Sequence, residues 1–287
     1  MSDEQRVGIF YDEPHSTYHK RVLGEANNGG LKVIDERTPA HYKQWIEDGN
    51  KPKTAEEAYK EEQHFRVGRI VHSAILEPDS FDDDYLLMPD FGAMQSSTNR
   101  KIRDEWLRSL PDGTSIVQPG EKALAMAMRE SILRHPTARL VIERGKAEVT
   151  LRWIDERTGL ACKARADWWS EEHGYAMDLK TTEDASPIEF GRSAARFGYA
   201  RQHYHYAEGF RQLNVPIRNY LILPVEKPPP HATIVYHLDA AAEERGFELV
   251  NRSMDKLASC VAKNEWPAYS TKIEALTMPG WAYSDRG

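Results

Sequence analysis

The feature that most constrains the fold is a pair of alternating segments separated by a short polar turn. Residues Cys162 to Trp169 and residues Tyr175 to Thr182 both alternate small or apolar residues with charged ones, and Gly174 lies between them. Such alternation is typical of half-buried β-strands, and a glycine favours a tight connection between two of them. The two segments are therefore predicted to form a β-hairpin.

The register of this hairpin determines which charged side chains meet. If a four-residue loop joins the strands, Asp167 lies opposite Asp178. In the same register Arg165 lies opposite Lys180. Side chains two positions apart share a face of a strand, so Asp167, Asp178 and Lys180 are expected on one face. The opposite face is predicted to pack on the core, and it would carry Ala164, Ala166, Trp168, Met177 and Leu179.

Two carboxylates that face each other need a compensating charge. Directly opposed side chains have Cβ atoms about 4.5–5.5 Å apart, where two carboxylates repel by roughly 3–4 kcal/mol at an effective dielectric near 20. Protonation of one acid would relieve this repulsion. A divalent cation relieves it more completely, and Mg²⁺ favours one or two carboxylates plus phosphate oxygens. Lys180 beside such an ion could orient a water or stabilise developing negative charge. An Asp-x-Lys triplet alone is common by chance, so the hypothesis depends on the second acid in register.

Composition limits the class of protein and its partners. The 287 residues, 40% of them hydrophobic, suffice for one large α/β domain or for two small ones. No apolar run approaches the ~18 residues of a membrane span, and the first residues lack the pattern of a secretion signal, so a cytoplasmic protein without a membrane partner is expected. Two cysteines, Cys162 and Cys260, are too few for an iron–sulfur cluster or a four-cysteine zinc site. The net charge of −7 disfavours nonspecific coating of nucleic acid.

The order of the remaining elements indicates the fold class. The predicted helices span residues 54–75, 96–110, 121–133, 199–213 and 239–262, and the further predicted strands span residues 147–154, 219–225 and 232–237. A strand meander with flanking helices and a helical crossover predicts an α/β domain with a mixed central sheet. One domain over residues 1–287 is expected. Its parts would be a mainly helical N-terminal part (1–145), a core that carries the hairpin (146–270) and an irregular tail (271–287).

Three further positions are candidates that need support from elsewhere. Glu148 shares the face of Asp167 only if the intervening loop sets the right register, because a one-residue slip reverses every side chain. Gln202 and Tyr206 lie on one helical face at positions i and i+4, a pattern also typical of a packing stripe. His72 lies on a predicted helix, where a lone histidine is more often a partly buried hydrogen-bonding residue than a ligand.

Taken in order along the chain, these pieces resemble one nuclease superfamily. Arg165-Ala166-Asp167, Asp178-Leu179-Lys180 and Gln202-x-x-x-Tyr206 resemble the PD-(D/E)xK signature of its RecB-like branch, and Gly68-x-x-x-His72 resembles the histidine motif of that branch. Within the branch, residues 38–42, 76–78 and 158–163 resemble the RecE-type exonuclease domain of phages and prophages. The resemblance covers roughly residues 30 to 270, and it implies a restriction-endonuclease-like core.

The resemblance also implies roles for individual residues. It implies a catalytic set of Lys180, Asp178, Asp167 and Glu148, metal ligands from Asp167, Asp178, His72 and the Leu179 carbonyl, and DNA contacts from Gln202, Tyr206, Arg165 and Thr181. The implied ion is Mg²⁺, for which Mn²⁺ can substitute. Asp178 stands where glutamate is commoner, which leaves the number of bound ions open.

The function implied by the resemblance is a metal-dependent exodeoxyribonuclease that acts on linear double-stranded DNA from 5′ to 3′. A single-strand annealing protein and a homo-oligomeric ring are expected on the same ground. Two alternatives stay open: a structure-specific or repair endonuclease on the same fold, and a nonenzymatic DNA-binding module. A zinc hydrolase using His203 and His205 is disfavoured, because histidines at i and i+2 of a helix point apart.

Overall fold

The computed structural model describes residues 6–51, 54, 56–57 and 63–283. The helices of these residues are α1 (His15–His19), α2 (Asn28–Glu36), α3 (Pro39–Gly49), α4 (Gln63–Leu76), α5 (Phe81–Asp84), α6 (Ser97–Ser109), α7 (Pro119–Arg134), α8 (Pro136–Glu143), α9 (Pro187–Phe197), α10 (Tyr199–Gln212) and α11 (Ala240–Lys263), followed by a 3₁₀ turn at Gly280–Ala282. The strands are β1 (Gly8–Phe10), β2 (Leu86–Leu87), β3 (Ile116–Val117), β4 (Lys146–Ile154), β5 (Ala161–Ser170), β6 (Tyr175–Thr182), β7 (Asn219–Glu226) and β8 (Tyr236–His237).

Six of these strands form one mixed sheet in the order β1-β4-β5-β6-β7-β8. Strands β6 and β7 run parallel, because α9 and α10 carry the chain back across the sheet between them, and the other neighbours are antiparallel. The mixed sheet with flanking helices confirms the predicted fold class. Strand β1 comes from the mainly helical N-terminal part, which therefore contributes one edge of the core sheet.

The hairpin has the predicted register close to its turn. Ser170 pairs with Tyr175, and Trp168 pairs with Met177. The prediction of one core-facing side for the whole hairpin is wrong. Ala164 and Ala166 pack in one hydrophobic cluster, whereas Trp168, Met177 and Leu179 pack in the cluster on the other side.

The reversal of faces has a local cause in β4. Glu148 has a left-handed backbone conformation with φ of 52°, which interrupts the alternation of side chains along the strand. The register with β5 stays the same on both sides of it, since Val149 pairs with Ala166 and Ala147 pairs with Trp168. Between these two pairs, both strands therefore change the side of the sheet to which their alternate buried side chains point: Val149 and Ala166 belong to one core, and Ala147 and Trp168 belong to the other.

The sheet separates two cores. On one side Leu151 of β4 packs with Phe210 of α10 and Leu257 of α11, all fully buried. On the other side Leu179 of β6 packs with Ile70 of α4, and α7 and α8 complete this layer. Each such side chain contributes about 1.5–3 kcal/mol by its burial. Helices α10 and α4 are thereby fixed against opposite faces of the strands that carry Asp167 and Asp178.

Two predicted details can be compared with the structure, the capping box at Thr54 and the strand at residues 232–237. The capping box forms, since the Glu57 amide donates to Thr54 Oγ1 and the Glu57 carboxylate accepts from the Thr54 amide. Most of the first turns of that predicted helix lie outside the described residues. The predicted strand 232–237 is shortened to two residues after the bend at residues 228–230.

Among the helices of the described ranges, none is both long and apolar enough to cross a membrane.

Candidate active site

Strands β5 and β6 separate at the level of the two aspartates. The Leu179 amide donates a hydrogen bond to Asp167 Oδ2 at 2.8 Å, so a side chain occupies the place of a strand-to-strand bond. Strand β6 meanwhile continues its pairing with β7, where Asp178 pairs with Ile222. Residues of both strands and of α4 and α10 lie around this gap between β5 and β6, which is here called the cleft.

Asp178, Lys180 and Gln202 form one half of the site, here called the lysine cluster. Lys180 Nζ lies 2.5 Å from Asp178 Oδ2. The Gln202 amide bridges the pair: its Nε2 donates to Asp178 Oδ1 at 2.5 Å, and its Oε1 accepts from Lys180 Nζ at 3.2 Å. The ammonium also lies 4.9 Å from the centre of the Tyr199 ring. The lysine cluster is thus balanced in charge by its own members.

His72, Glu148 and Asp167 form the other half, here called the acid cluster. One potential ligand atom of each lies within 4.8 Å of the other two, a separation that suits a shared metal ion. His72 Nδ1 on α4 is 3.5 Å from Asp167 Oδ2. Arg165 Nη1 is 3.7 Å from Glu148 Oε2, beyond ordinary hydrogen-bond distance.

The electrostatics of the two clusters differ. Burial, together with the neighbouring Asp178 charge, raises the pKa of Asp167 to about 6. Burial and the Asp167 charge raise the pKa of Glu148 to about 8, although Arg165 opposes the shift. Burial alone would lower the pKa of Lys180, but the carboxylates of Asp178 and Asp167 outweigh it and hold that pKa above its ordinary value. Lys180 therefore stays protonated at neutral pH, whereas the acid cluster favours bound protons or a bound cation.

Comparisons with known proteins give the family and the fold of this chain. Residues 30–279 match the PDDEXK-like domain of unknown function DUF3799. This chain belongs to that family. A solved structure of a candidate exonuclease from Eubacterium rectale is 15% identical, with 92% of each chain covered and a TM-score of 0.56. A phage-related exonuclease from Haemophilus somnus 129PT is 14% identical over 49% of this chain and 71% of that one, with a TM-score of 0.33. The comparison with curated proteins found no significant match.

Membership of the PDDEXK-like family confirms the predicted superfamily and its restriction-endonuclease-like fold. The family and the fold support a nuclease, which is the coarser form of the predicted function. The RecE-type resemblance stays a prediction, as do the metal, the substrate end and the direction of digestion.

The donors present fit a divalent cation. The two carboxylates suit Mg²⁺ and Mn²⁺, and the imidazole is a nitrogen ligand that transition metals accept more readily than Mg²⁺ does. In addition, Asp178 Oδ2 is buried and lies 2.5 Å from Lys180 Nζ, so a cation at that oxygen would share it with the lysine. The structure groups Glu148 and His72 with Asp167, and it places Asp178 in the lysine cluster.

The residues predicted to contact DNA lie at different depths. Gln202 is half-buried and engaged with the lysine cluster, and Tyr206 on the same face is 7% exposed. Arg165 is 6% exposed and donates to Thr150 Oγ1 at 2.9 Å, so the guanidinium is fixed beneath the cleft. Thr181 is half-buried, and its hydroxyl would lie 3.8 Å from a Cβ atom at Gly68 of α4.

Sequence reasoning missed two aromatic residues of the site. Tyr199 precedes Gln202 by three positions, so its place on the same face of α10 was available from helical spacing. Tyr18 of α1 carries no such signal, because it lies 147 positions before Arg165 in the chain. The centre of its ring is 4.4 Å from the guanidinium carbon of Arg165.

Proposed function

We propose that this protein is a Mg²⁺- or Mn²⁺-dependent exonuclease that hydrolyses phosphodiester bonds of linear double-stranded DNA. The observation that carries the proposal is the position of a protonated lysine directly beside the acid cluster. Asp167 belongs to that cluster, and its carboxylate accepts a hydrogen bond from the backbone amide of Leu179, the residue between Asp178 and Lys180. Carboxylates and a cationic donor are thereby directed at one cleft.

The acid cluster would hold the ion through Asp167, Glu148 and His72, with Asp178 Oδ2, which it would share with Lys180, as a further oxygen donor. A divalent ion bound there supplies Lewis-acid polarisation of the phosphate and a lower pKa for a bound water. Lys180 contributes a fixed positive charge, which stabilises the negative charge that develops on the phosphate oxygens as water adds to phosphorus. The bond from phosphorus to the sugar oxygen breaks, and the proton from the water ends on that oxygen.

Gln202 and Tyr206 would keep the lysine cluster in place while DNA binds. Gln202 holds both Asp178 and Lys180, so neither needs to reorient when a phosphate arrives. Arg165 would contribute positive charge from beneath the cleft, and Thr181 would contribute a hydroxyl beside it.

Three finer features rest on the RecE-type resemblance. These are digestion from 5′ to 3′, a homo-oligomeric ring around the duplex, and a single-strand annealing protein that receives the exposed strand. A protein of this kind works in the cytoplasm.

The test is a digestion assay with Mg²⁺ or Mn²⁺ on one linear duplex labelled separately at each 5′ and 3′ end. We expect release of 5′-labelled nucleotides first, with closed circular DNA left intact because it has no end. Rapid cleavage of the closed circle would instead assign a structure-specific or repair endonuclease. Binding of the duplex without cleavage in any divalent ion would assign a nonenzymatic module.

A further inference from the structure

Two aromatic rings lie side by side where α9 ends and α10 begins. Phe197 is the last residue of α9 and Tyr199 is the first of α10, and Gly198 between them has a left-handed φ of 77°. Glycine adopts this conformation at little cost, so the chain can turn between the two helices in a single residue. The two rings stack across this turn, with centroids 6.1 Å apart and planes 23° apart.

The inner ring of the pair is held in place and contacts the lysine cluster. Tyr199 packs on the buried Phe190, with 5.8 Å between ring centroids. Lys180 Nζ lies 4.9 Å from the centre of the Tyr199 ring. Two direct contacts therefore join Phe197 to Lys180. A DNA strand carries one phosphate per about 3.4 Å of helix axis, so a strand with a phosphate at Lys180 reaches Phe197 within about three nucleotides.

The outer ring of the pair is open to solvent. One exposed aromatic residue is ordinary on a protein surface, but Phe197, at 50% exposure, continues the face of α9 on which Phe190 is buried and Ala194 is half-buried. The guanidinium carbon of Arg196 lies 5.6 Å from the centre of the Phe197 ring, and Lys32 Nζ donates to the Phe197 carbonyl at 3.5 Å. Single-stranded DNA is bound by this combination, in which bases stack on aromatic rings and cations hold the backbone.

We propose that Phe197 is a stacking platform for an unpaired nucleobase of the DNA strand whose phosphate lies at Lys180. The inference deepens the proposed nuclease function and rests on it for its kinetic readout, whereas its binding readout needs no cleavage. Stacking tolerates any sequence, because every base has a π-face. The ring holds the strand equally before and during the reaction, so it contributes to binding and not to the chemical step.

The experiment separates affinity for bases from affinity for the backbone. Fluorescence anisotropy in EDTA compares duplexes that carry a three-nucleotide overhang at the 5′ or at the 3′ end, with the overhang either intact or abasic. Phe197→Ala removes the ring, and Phe197→Trp keeps one. Phe247→Ala is the matched control, because Phe247 is 51% exposed and packs on Tyr204, which points away from Gln202 on α10.

Wild type should bind the intact overhang about tenfold more tightly than the abasic one at one of the two ends. Phe197→Ala should bind both overhangs equally, and Phe197→Trp should restore the preference. Phe247→Ala should match wild type. In Mg²⁺, Phe197→Ala should raise the KM for the intact overhang about tenfold and leave kcat within about twofold of wild type, as expected for the loss of uniform binding.

Each result supports or overturns the proposal. A preference that persists in Phe197→Ala, or that is absent from wild type, would overturn it and leave the nuclease function to the digestion assay. A persisting preference with a lower molar mass in sedimentation would assign the ring to a contact between protein molecules, and would also overturn it. A preference that wild type has and Phe197→Ala lacks supports the proposal, even if no duplex is cleaved and the nuclease function fails. If Phe197→Ala does not fold, Phe197→Leu replaces it, since leucine keeps apolar volume without a ring.

Discussion

The two halves of the site solve the same electrostatic problem in different ways. In the lysine cluster the buried Asp178 carboxylate has a cation at 2.5 Å and an amide donor at the same distance. In the acid cluster Asp167 and Glu148 face each other and an imidazole, and the pKa of each carboxyl is raised. The difference teaches that the lysine cluster is stable by itself, whereas the acid cluster gains stability from a cation that binds to it.

The largest effect is expected for Asp167→Asn, which removes one charge of the acid cluster and a ligand. Hydrolysis should fall on the order of 10³-fold, because the cation loses a central donor. The rise in Tm that Mn²⁺ causes in wild type should also disappear. Thermal melts with and without Mn²⁺, next to a digestion assay, check both results. A variant that keeps the full Mn²⁺ shift would show that the ion binds elsewhere.

Lys180→Ala should separate catalysis from metal binding. Loss of one fixed positive charge at the reacting phosphate costs roughly 10²–10³-fold in kcat. The acid cluster keeps its donors, so the affinity for Mn²⁺ should stay within about threefold of wild type. Calorimetric titration beside steady-state kinetics measures both quantities. Lys43→Ala, an exposed residue of α3, is the control. Equal losses in the two quantities would contradict the division into clusters.

The same Asp-to-Asn change should have opposite effects on stability in the two clusters when EDTA removes divalent ions. Asp178→Asn leaves Lys180 without its carboxylate, and with the lysine side chain 20% exposed the free energy of unfolding should fall by roughly 2–3 kcal/mol. Asp167→Asn should raise it slightly at pH 8, because it removes a carboxylate whose pKa is above its ordinary value. Urea titrations of both variants provide the measurement. Changes of the same sign would break the comparison.

The smallest effect is a pH dependence of the acid cluster. Glu148 binds a proton more tightly in the folded state, where its pKa is about 8, than in the unfolded chain. Stability therefore falls as pH rises between the unfolded and folded pKa values. In EDTA, wild type should lose unfolding free energy between pH 6 and pH 8, and Glu148→Gln should lose less. Urea titrations at both pH values test this. Equal changes in the free energy of unfolding for wild type and Glu148→Gln would show that the neighbours do not raise the pKa of Glu148.

The extent of what the sequence predicts differs between these regions. Strand alternation and turn chemistry were enough to predict the hairpin and its register near Ser170. Local periodicity could not predict the exchange of buried faces, because that depends on the positive φ of a single residue, Glu148.

Tyr18 and Arg165 illustrate a second limit. Their contact joins positions far apart in the chain, and neither residue alone carries a pattern that indicates it. The sequence predicts Arg165 as a contact to DNA, but it gives no sign that the guanidinium is held by Thr150 and the Glu13 carbonyl. Tertiary contacts of this kind depend on how residues 11–20 lie against β5.

The most direct test of the metal-dependent site is a crystal structure with Mn²⁺ bound, with diffraction data collected at the manganese absorption edge. We predict an anomalous peak between His72, Glu148 and Asp167, with Asp178 Oδ2 turned toward it and Lys180 still beside Asp178. A peak bound elsewhere, with these three side chains free of the ion, would contradict the proposed site.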